Sequence, residues 1–180
     1  MHVALVPTGG LRRRIDGEIV PSVAGERRIR KAAAILFENV NFQLLLIGRE
    51  AEAYKKWIDD HYPRLRTRIH TDQNDVCTVC DVRKAAKKIG DMTTLNGEAF
   101  VGFIYVVCHQ DQYRLIELAL RCSGAKTVCH ESGEPAPYPL VHKTAFFAVS
   151  AVDNDWSTSL AWPLRFAARL RAWWASRQGL

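Results

Sequence analysis

Polar corners that follow apolar runs hold the side chains best suited to chemistry: Thr8-Gly9-Gly10, Gly48-Arg49-Glu50, Cys108-His109-Gln110-Asp111 and Cys129-His130-Glu131. Histidine titrates near physiological pH, so His109, with Asp111 or Asp81 as its orienting partner, is a candidate general base for hydrolysis or group transfer. Gly9 and Gly10 allow a tight turn and close approach of backbone amides to a ligand. Arg28 and Arg114 are the candidate cations for holding negative charge, and Asp75 or Asp81 would meet hydroxyls or a divalent cation. Thr8, Gly48 and Thr78 complete the candidate binding set. Cys77 and Cys80 form one C-x-x-C, which Cys108, His109, Cys129 and His130 could extend to four ligands. A structural zinc site normally brings a second close-spaced pair, so no metal is expected. No nucleophile elbow, Walker loop or complete dinucleotide fingerprint is present.

These corners converge only if the elements between them form an open parallel sheet. The central stretch, Ala99 to Glu131, reads as such a unit: an apolar run from Phe100 to Val107, a polar corner, and apolar residues recurring from Leu115 to Cys122. Ser123-Gly124 ends that helix, and Lys126 to Cys129 begins another strand. Earlier in the chain, His2 to Pro7 and Phe42 to Ile47 read as buried strands. Glu26 to Glu38 and Ala51 to Tyr62 read as helices, with Pro63 marking the end of the second. Arg66 to His70 reads as a short strand, and Asp72 to Asp75 as the cap of a helix running to about Ile89. Leu11 to Gly25 reads as a long loop whose three arginines face water, with a lid that closes over an anion as the alternative. Strand and helix alternate, which implies an α/β fold with a mainly parallel sheet covered on both faces. Ligands of such sheets sit outside the carboxyl ends of the strands, and all the corners above lie on that rim. Glu131 to Leu140, with three prolines, reads as loop, and Val141 to Val152 as either strand or buried helix.

The chain has 180 residues, 48% of them hydrophobic and 24% charged, which suits one ordered domain. Its net charge of +6 permits nucleic acid, anionic lipid or a phosphorylated ligand as partner. Sequence-specific nucleic-acid recognition is not expected, because no zinc finger, RRM or helix-turn-helix signature accompanies the charge. Neither a signal peptide nor a run of membrane-spanning length is visible, so a cytoplasmic place with reduced thiols is the expectation. From Ser159 to Arg177 a helical pattern sets Trp162, Phe166, Leu170, Trp173 and Trp174 against Arg165 and Arg169. Docking on the sheet is the expected role of that face, and peripheral contact with an anionic inner membrane is the alternative.

The order Thr8-Gly9-Gly10, Asp16-Gly17, Pro21-Ser22, Arg28-Ile29 and Lys31-Ala32 resembles the opening of the YdcF, SanA and ElyC family of bacterial proteins. Thr78 with Asp81 resembles that family's S-x-N-T-x-E-N-A segment. Val106-Val107 with Gln112-Tyr113-Arg114 resembles its V-V-T-x-x-x-H-x-x-R segment, whose histidine falls on Asp111, or on His109 after a one-residue deletion. The resemblance runs to about Glu131. The chain departs from it at Ile47-Gly48-Arg49 and at Asp75, Cys77 and Cys80. It implies a Rossmann-like three-layer sandwich, a link to the bacterial envelope and S-adenosylmethionine as a candidate ligand. The functional expectation is a rim crevice that takes a small anionic or nucleotide-like molecule, with hydrolase or transferase activity as its enzymatic form. A scaffold acting at the inner membrane face through the Trp-rich helix is the non-enzymatic alternative.

Overall fold

The computed structural model describes residues 2–73, 85, 88, 89, 103–120 and 126–133. Five strands form its main sheet: β1 (His2–Pro7), β4 (Phe42–Ile47), β5 (Ile69–Asp72), β6 (Phe103–Cys108) and β7 (Lys126–Glu131). They lie in the order β5-β4-β1-β6-β7, and every neighbouring pair is parallel. With α1 (Val23–Glu38), α2 (Ala51–His61) and α3 (Gln110–Leu120) between them, this is an α/β, Rossmann-like arrangement.

β1 and β4 form because residues 3–7 and 44–47 are unbroken apolar runs, the signature of a strand covered on both faces. Alternation divides their side chains between two cores. Ala4 and Val6 of β1, with Phe42, Leu44 and Leu46 of β4, pack under Ile29, Ala32, Ala33 and Leu36 of α1 and Tyr54, Trp57 and Ile58 of α2. Val3, Leu5, Leu45, Ile47, Ile104, Val106 and Cys108 are buried on the opposite face. Tyr113 of α3 bonds there to Thr127 of β7 at 3.0 Å between hydroxyls. The chain steps outward from β1 through β4 to β5, then returns to β6 on the other flank. Right-handed crossovers therefore put α1 and α2 on one face and α3 on the other.

Several expected boundaries move. The Leu11–Gly25 segment is not an open loop: β2 (Leu11–Arg13) and β3 (Ile19–Pro21) pair antiparallel as a small hairpin. Its tip closes through the Gly17 amide on the Arg14 carbonyl, with Gly17 at φ +86°, where a side chain would strain the backbone. Helix α1 starts three residues earlier than expected, because the Ser22 hydroxyl caps it by accepting from the Gly25 amide at 3.1 Å. Residues Pro63–Arg68 form a 3-10 helix, and the third strand begins only at Ile69. Arg68 explains that shift. Its guanidinium donates to the carbonyls of Leu36, Asn39 and Phe42, tying this segment to the end of α1. Asp72 belongs to β5 rather than to a helix cap. Of the helix expected to reach Ile89, Ala85, Lys88 and Ile89 are helical, while the readings for 134–180, including Val141 to Val152 and the Trp-rich helix, lie outside the described residues.

His70 on β5 faces Gln43, with its Nε2 3.1 Å from the amide oxygen. Burial first, then the charges of Lys88 and Lys55, lower its pKa from 6.5. A histidine whose folded pKa is depressed binds fewer protons folded than unfolded, so its contribution is complete above pH 6.5 and is lost as pH falls below it. The expected outcome is a stability that declines on acidification from pH 6.5 and a shallower decline in His70→Gln. Urea midpoints measured across pH check both.

Candidate functional site

The return of the chain from β5 to β6 makes a topological switch point between β1 and β6, where their following connections diverge to opposite faces. Open α/β sheets bind ligands in the crevice so created. One lip is Thr8-Gly9-Gly10, after β1, and the other is His109, after β6.

The β1 lip is held by side chains from three directions. Thr8 continues the strand through its amide to the Ile47 carbonyl, 2.8 Å, and its hydroxyl donates to Glu50 Oε2 at 2.8 Å. The Gly9 amide donates to Tyr54 Oη at 2.9 Å, and Tyr54 Oη donates to the Gly10 carbonyl at 3.0 Å. Ser22 Oγ donates to the Gly9 carbonyl at 3.0 Å. Tyr54 is thus the clamp of the lip, fully buried in α2, and burial pushes its phenol above the ordinary value of 10.0. It stays a neutral hydrogen-bonding group at physiological pH.

Beneath this lip lies Arg28, only 2% exposed. Its Nη1 donates to the Pro7 carbonyl at 2.6 Å. A β-carbon placed on Gly9 would sit 3.4 Å from the guanidinium carbon, so the backbone at Gly9 rides directly against the cation. Long charged side chains are seldom this buried unless they are paired. The position of Arg28 follows from α1: it precedes Ile29 on the helix, one turn before Ala32, on the side facing the end of β1.

At the opposite lip, His109 caps α3. Its carbonyl accepts from the amides of Gln112 and Tyr113, each at 3.0 Å, and its Nδ1 accepts from the Asp111 amide at 3.1 Å. With Nδ1 accepting, the neutral ring carries its proton on Nε2. Asp111 Oδ2 lies 3.5 Å from the same Nδ1, an ion pair only when the ring is protonated. A base role would require Nδ1 to give up the cap.

The remaining candidates divide. Gly48 shapes the corner after β4 at φ +118°, its amide donating to the Asp72 carbonyl at 3.1 Å. A β-carbon there would fall 2.3 Å from Thr8 Oγ1. Gly48→Ala is expected to cost about 2 kcal/mol or more in backbone strain and loss of the Thr8 to Glu50 bond, read as a lowered urea midpoint. Arg114 is exposed one turn into α3. The Gly9 amide, expected to face a ligand, is taken by Tyr54. Two of the three hairpin arginines are also engaged: Arg12 with Glu26 at 2.7 Å and Arg14 with Glu18 at 3.2 Å. Asp75, Thr78 and Asp81, with Cys77 and Cys80, lie outside the described residues. Cys129 and His130, adjacent in β7, point to opposite faces and do not converge on one ion. Among the described residues no cluster of three or more His, Cys, Asp or Glu side chains is placed to hold a metal, and no helix is long and apolar enough to cross a membrane.

Sequence reasoning missed Tyr54, and it read Glu50 only as part of the Gly48-Arg49-Glu50 corner and Ser22 only as part of the Pro21-Ser22 turn. Tyr54 carried a readable signal, since a tyrosine at an inward helical position, in step with Ala51, Trp57 and Ile58, needs a buried partner for its hydroxyl. Comparison with family models, curated proteins and solved structures finds no match.

Proposed function

We propose that the protein binds a small anionic, nucleotide-like molecule in the crevice between the ends of β1 and β6. The observation that carries this reading is the buried Arg28 guanidinium held against Gly9 at the switch point. A cation there is screened less than one on the surface and favours a phosphate or carboxylate at the lip. His109 stands at the opposite lip of the same crevice. Supporting the nucleotide-like form are the strand order, shared with dinucleotide-binding sheets, and the first turn of α1, capped by Ser22 close to Gly9.

The motif order from Thr8-Gly9-Gly10 to Arg114 supports distant kinship with the YdcF, SanA and ElyC family, and with it S-adenosylmethionine among the ligands to test. Binding is the better-supported activity; turnover through His109 would need its cap to open. The test is a thermal-shift panel of nucleotides, S-adenosylmethionine, sugar phosphates and divalent metals against the purified chain. A ligand at a hundredfold excess over its dissociation constant stabilises the native state by about 2.7 kcal/mol. The expected result is a shift with an anionic member of the panel that disappears in Arg28→Met. Equal shifts in the parent and that variant would refute the reading.

A further inference from the structure

The two faces of the β6–β7 half of the sheet are unequal. On the α3 face, Ile104, Val106 and Cys108 are all buried. On the α1 face, Val107 is buried where α1 packs against β6, whereas Phe103 is 41% exposed and Val128, His130 and Tyr105, whose ring meets Phe42, are half-buried. Alternation lines up Phe103 and Tyr105 on β6 with Lys126, Val128 and His130 on β7. The rings form a continuous series: Phe103 and Tyr105 lie 6.5 Å apart, and Tyr105 and His130 4.9 Å. Lys126 Nζ stands 5.9 Å from the centre of the Phe103 ring. Along the inner edge, α1 adds the exposed side chains of Arg27 and Lys31. Arg27 reaches the Gly133 carbonyl at 2.5 Å, and Lys31 is near enough to His130 to act, after burial, on its pKa.

Among the described residues of β6 and β7, this face sets the rings beside the Lys126 cation and carries no carboxylate, since Glu131 points to the other face. An acidic peptide would use the cations and leave the rings idle; an apolar helix would use the rings and bury the cations unpaired. Single-stranded nucleic acid uses both, with bases stacked on aromatic faces and phosphates along the basic edge, and it needs no sequence readout. We infer that this strip, formed by Phe103, Tyr105 and His130 with Lys126, Lys31 and Arg27, is a binding surface for single-stranded nucleic acid. It spans about 13 Å, four steps of about 3.3 Å along β7 from Lys126 to His130, enough for a few nucleotides. The net charge of +6 suits such a partner.

Fluorescence anisotropy of a labelled short oligouridylate with the full chain at low salt tests the inference. Binding is expected to weaken with added salt, and Phe103→Ala and Lys31→Glu are each expected to weaken it about tenfold, the effect of one lost stacking or phosphate contact. Phe103 is exposed, so its truncation leaves the core intact, which circular dichroism verifies. Lys56→Glu, the same charge change on the exposed side of α2, is expected to have less than half that effect on the logarithmic scale. Absence of binding by the parent chain overturns the inference. So does equal weakening by Lys31→Glu and Lys56→Glu, or binding that is indifferent to Phe103→Ala, which is the result expected if another segment of the chain occupies the strip.

Discussion

Replacing Gly25 with alanine is expected to destabilise the protein by about 3 kcal/mol, a fall of roughly 10 °C in melting temperature for a chain of this size. The reason is geometric. A β-carbon on Gly25 would lie 2.0 Å from Tyr54 Oη and 2.6 Å from its Cζ, and Tyr54 is fully buried with a rigid ring. Alanine would normally favour a helix over glycine by about 1 kcal/mol, so the expected sign is opposite to that of intrinsic propensity. The loss comes from pushing the ring away and breaking its bonds to Gly9 and Gly10, each of which leaves a polar group unsatisfied. Tyr54→Phe in the alanine background is expected to recover part of the loss, since Oη is the nearest clashing atom while Cζ remains. Thermal denaturation of the four proteins of that cycle checks it. An alanine variant as stable as the parent would show that α1 and α2 do not approach as described.

The second large effect is expected at Arg28. Arg28→Met keeps much of the side chain's volume and removes its charge and its bond to the Pro7 carbonyl. Stability is expected to fall by about 1 to 3 kcal/mol, because a buried carbonyl loses a charged donor. Affinity for an anionic crevice ligand is expected to fall about a hundredfold, equivalent to about 2.7 kcal/mol. Arg28→Lys retains charge without the planar fork and should fall between parent and methionine in both measurements. Calorimetric titration at fixed salt reads the affinity, and urea unfolding reads the stability. A methionine variant that loses stability and keeps full affinity would make Arg28 a purely structural residue.

The strands that were legible from the residues are those whose burial leaves no choice. His2 to Pro7 and Phe42 to Ile47 are apolar but for His2 and Gln43, and both appear with the expected bounds. The polar corner after β6 was legible for the same reason, as an apolar run ending at a histidine. The hairpin was not, because Leu11-Arg12-Arg13 and Ile19-Val20-Pro21 are three-residue strands too short to show a period, and Asp16-Gly17 reads equally as loop punctuation. Gly25 was taken for the end of that loop. It is instead the third residue of α1, a glycine required by the neighbouring tyrosine rather than by a turn. The candidate site divides along the same line. Residues at strand ends could be placed by type, whereas the partners that Tyr54 clamps and the burial of Arg28 arise from contacts between α1, α2 and the β1 end, which no local pattern encodes. Likewise His109 was recognised as chemically apt, but its role as a cap depends on the direction of the Asp111 amide, a property of the folded corner.

The most direct test of the crevice reading is a heteronuclear NMR titration of the isotopically labelled chain with adenosine diphosphate, S-adenosylmethionine and a sugar phosphate in turn. The account predicts that at least one of them shifts the amides of Thr8, Gly9, Gly10, His109 and Asp111 together, and that these shifts vanish in Arg28→Met. Shifts centred elsewhere in the sheet, or none with any of the three, would contradict it.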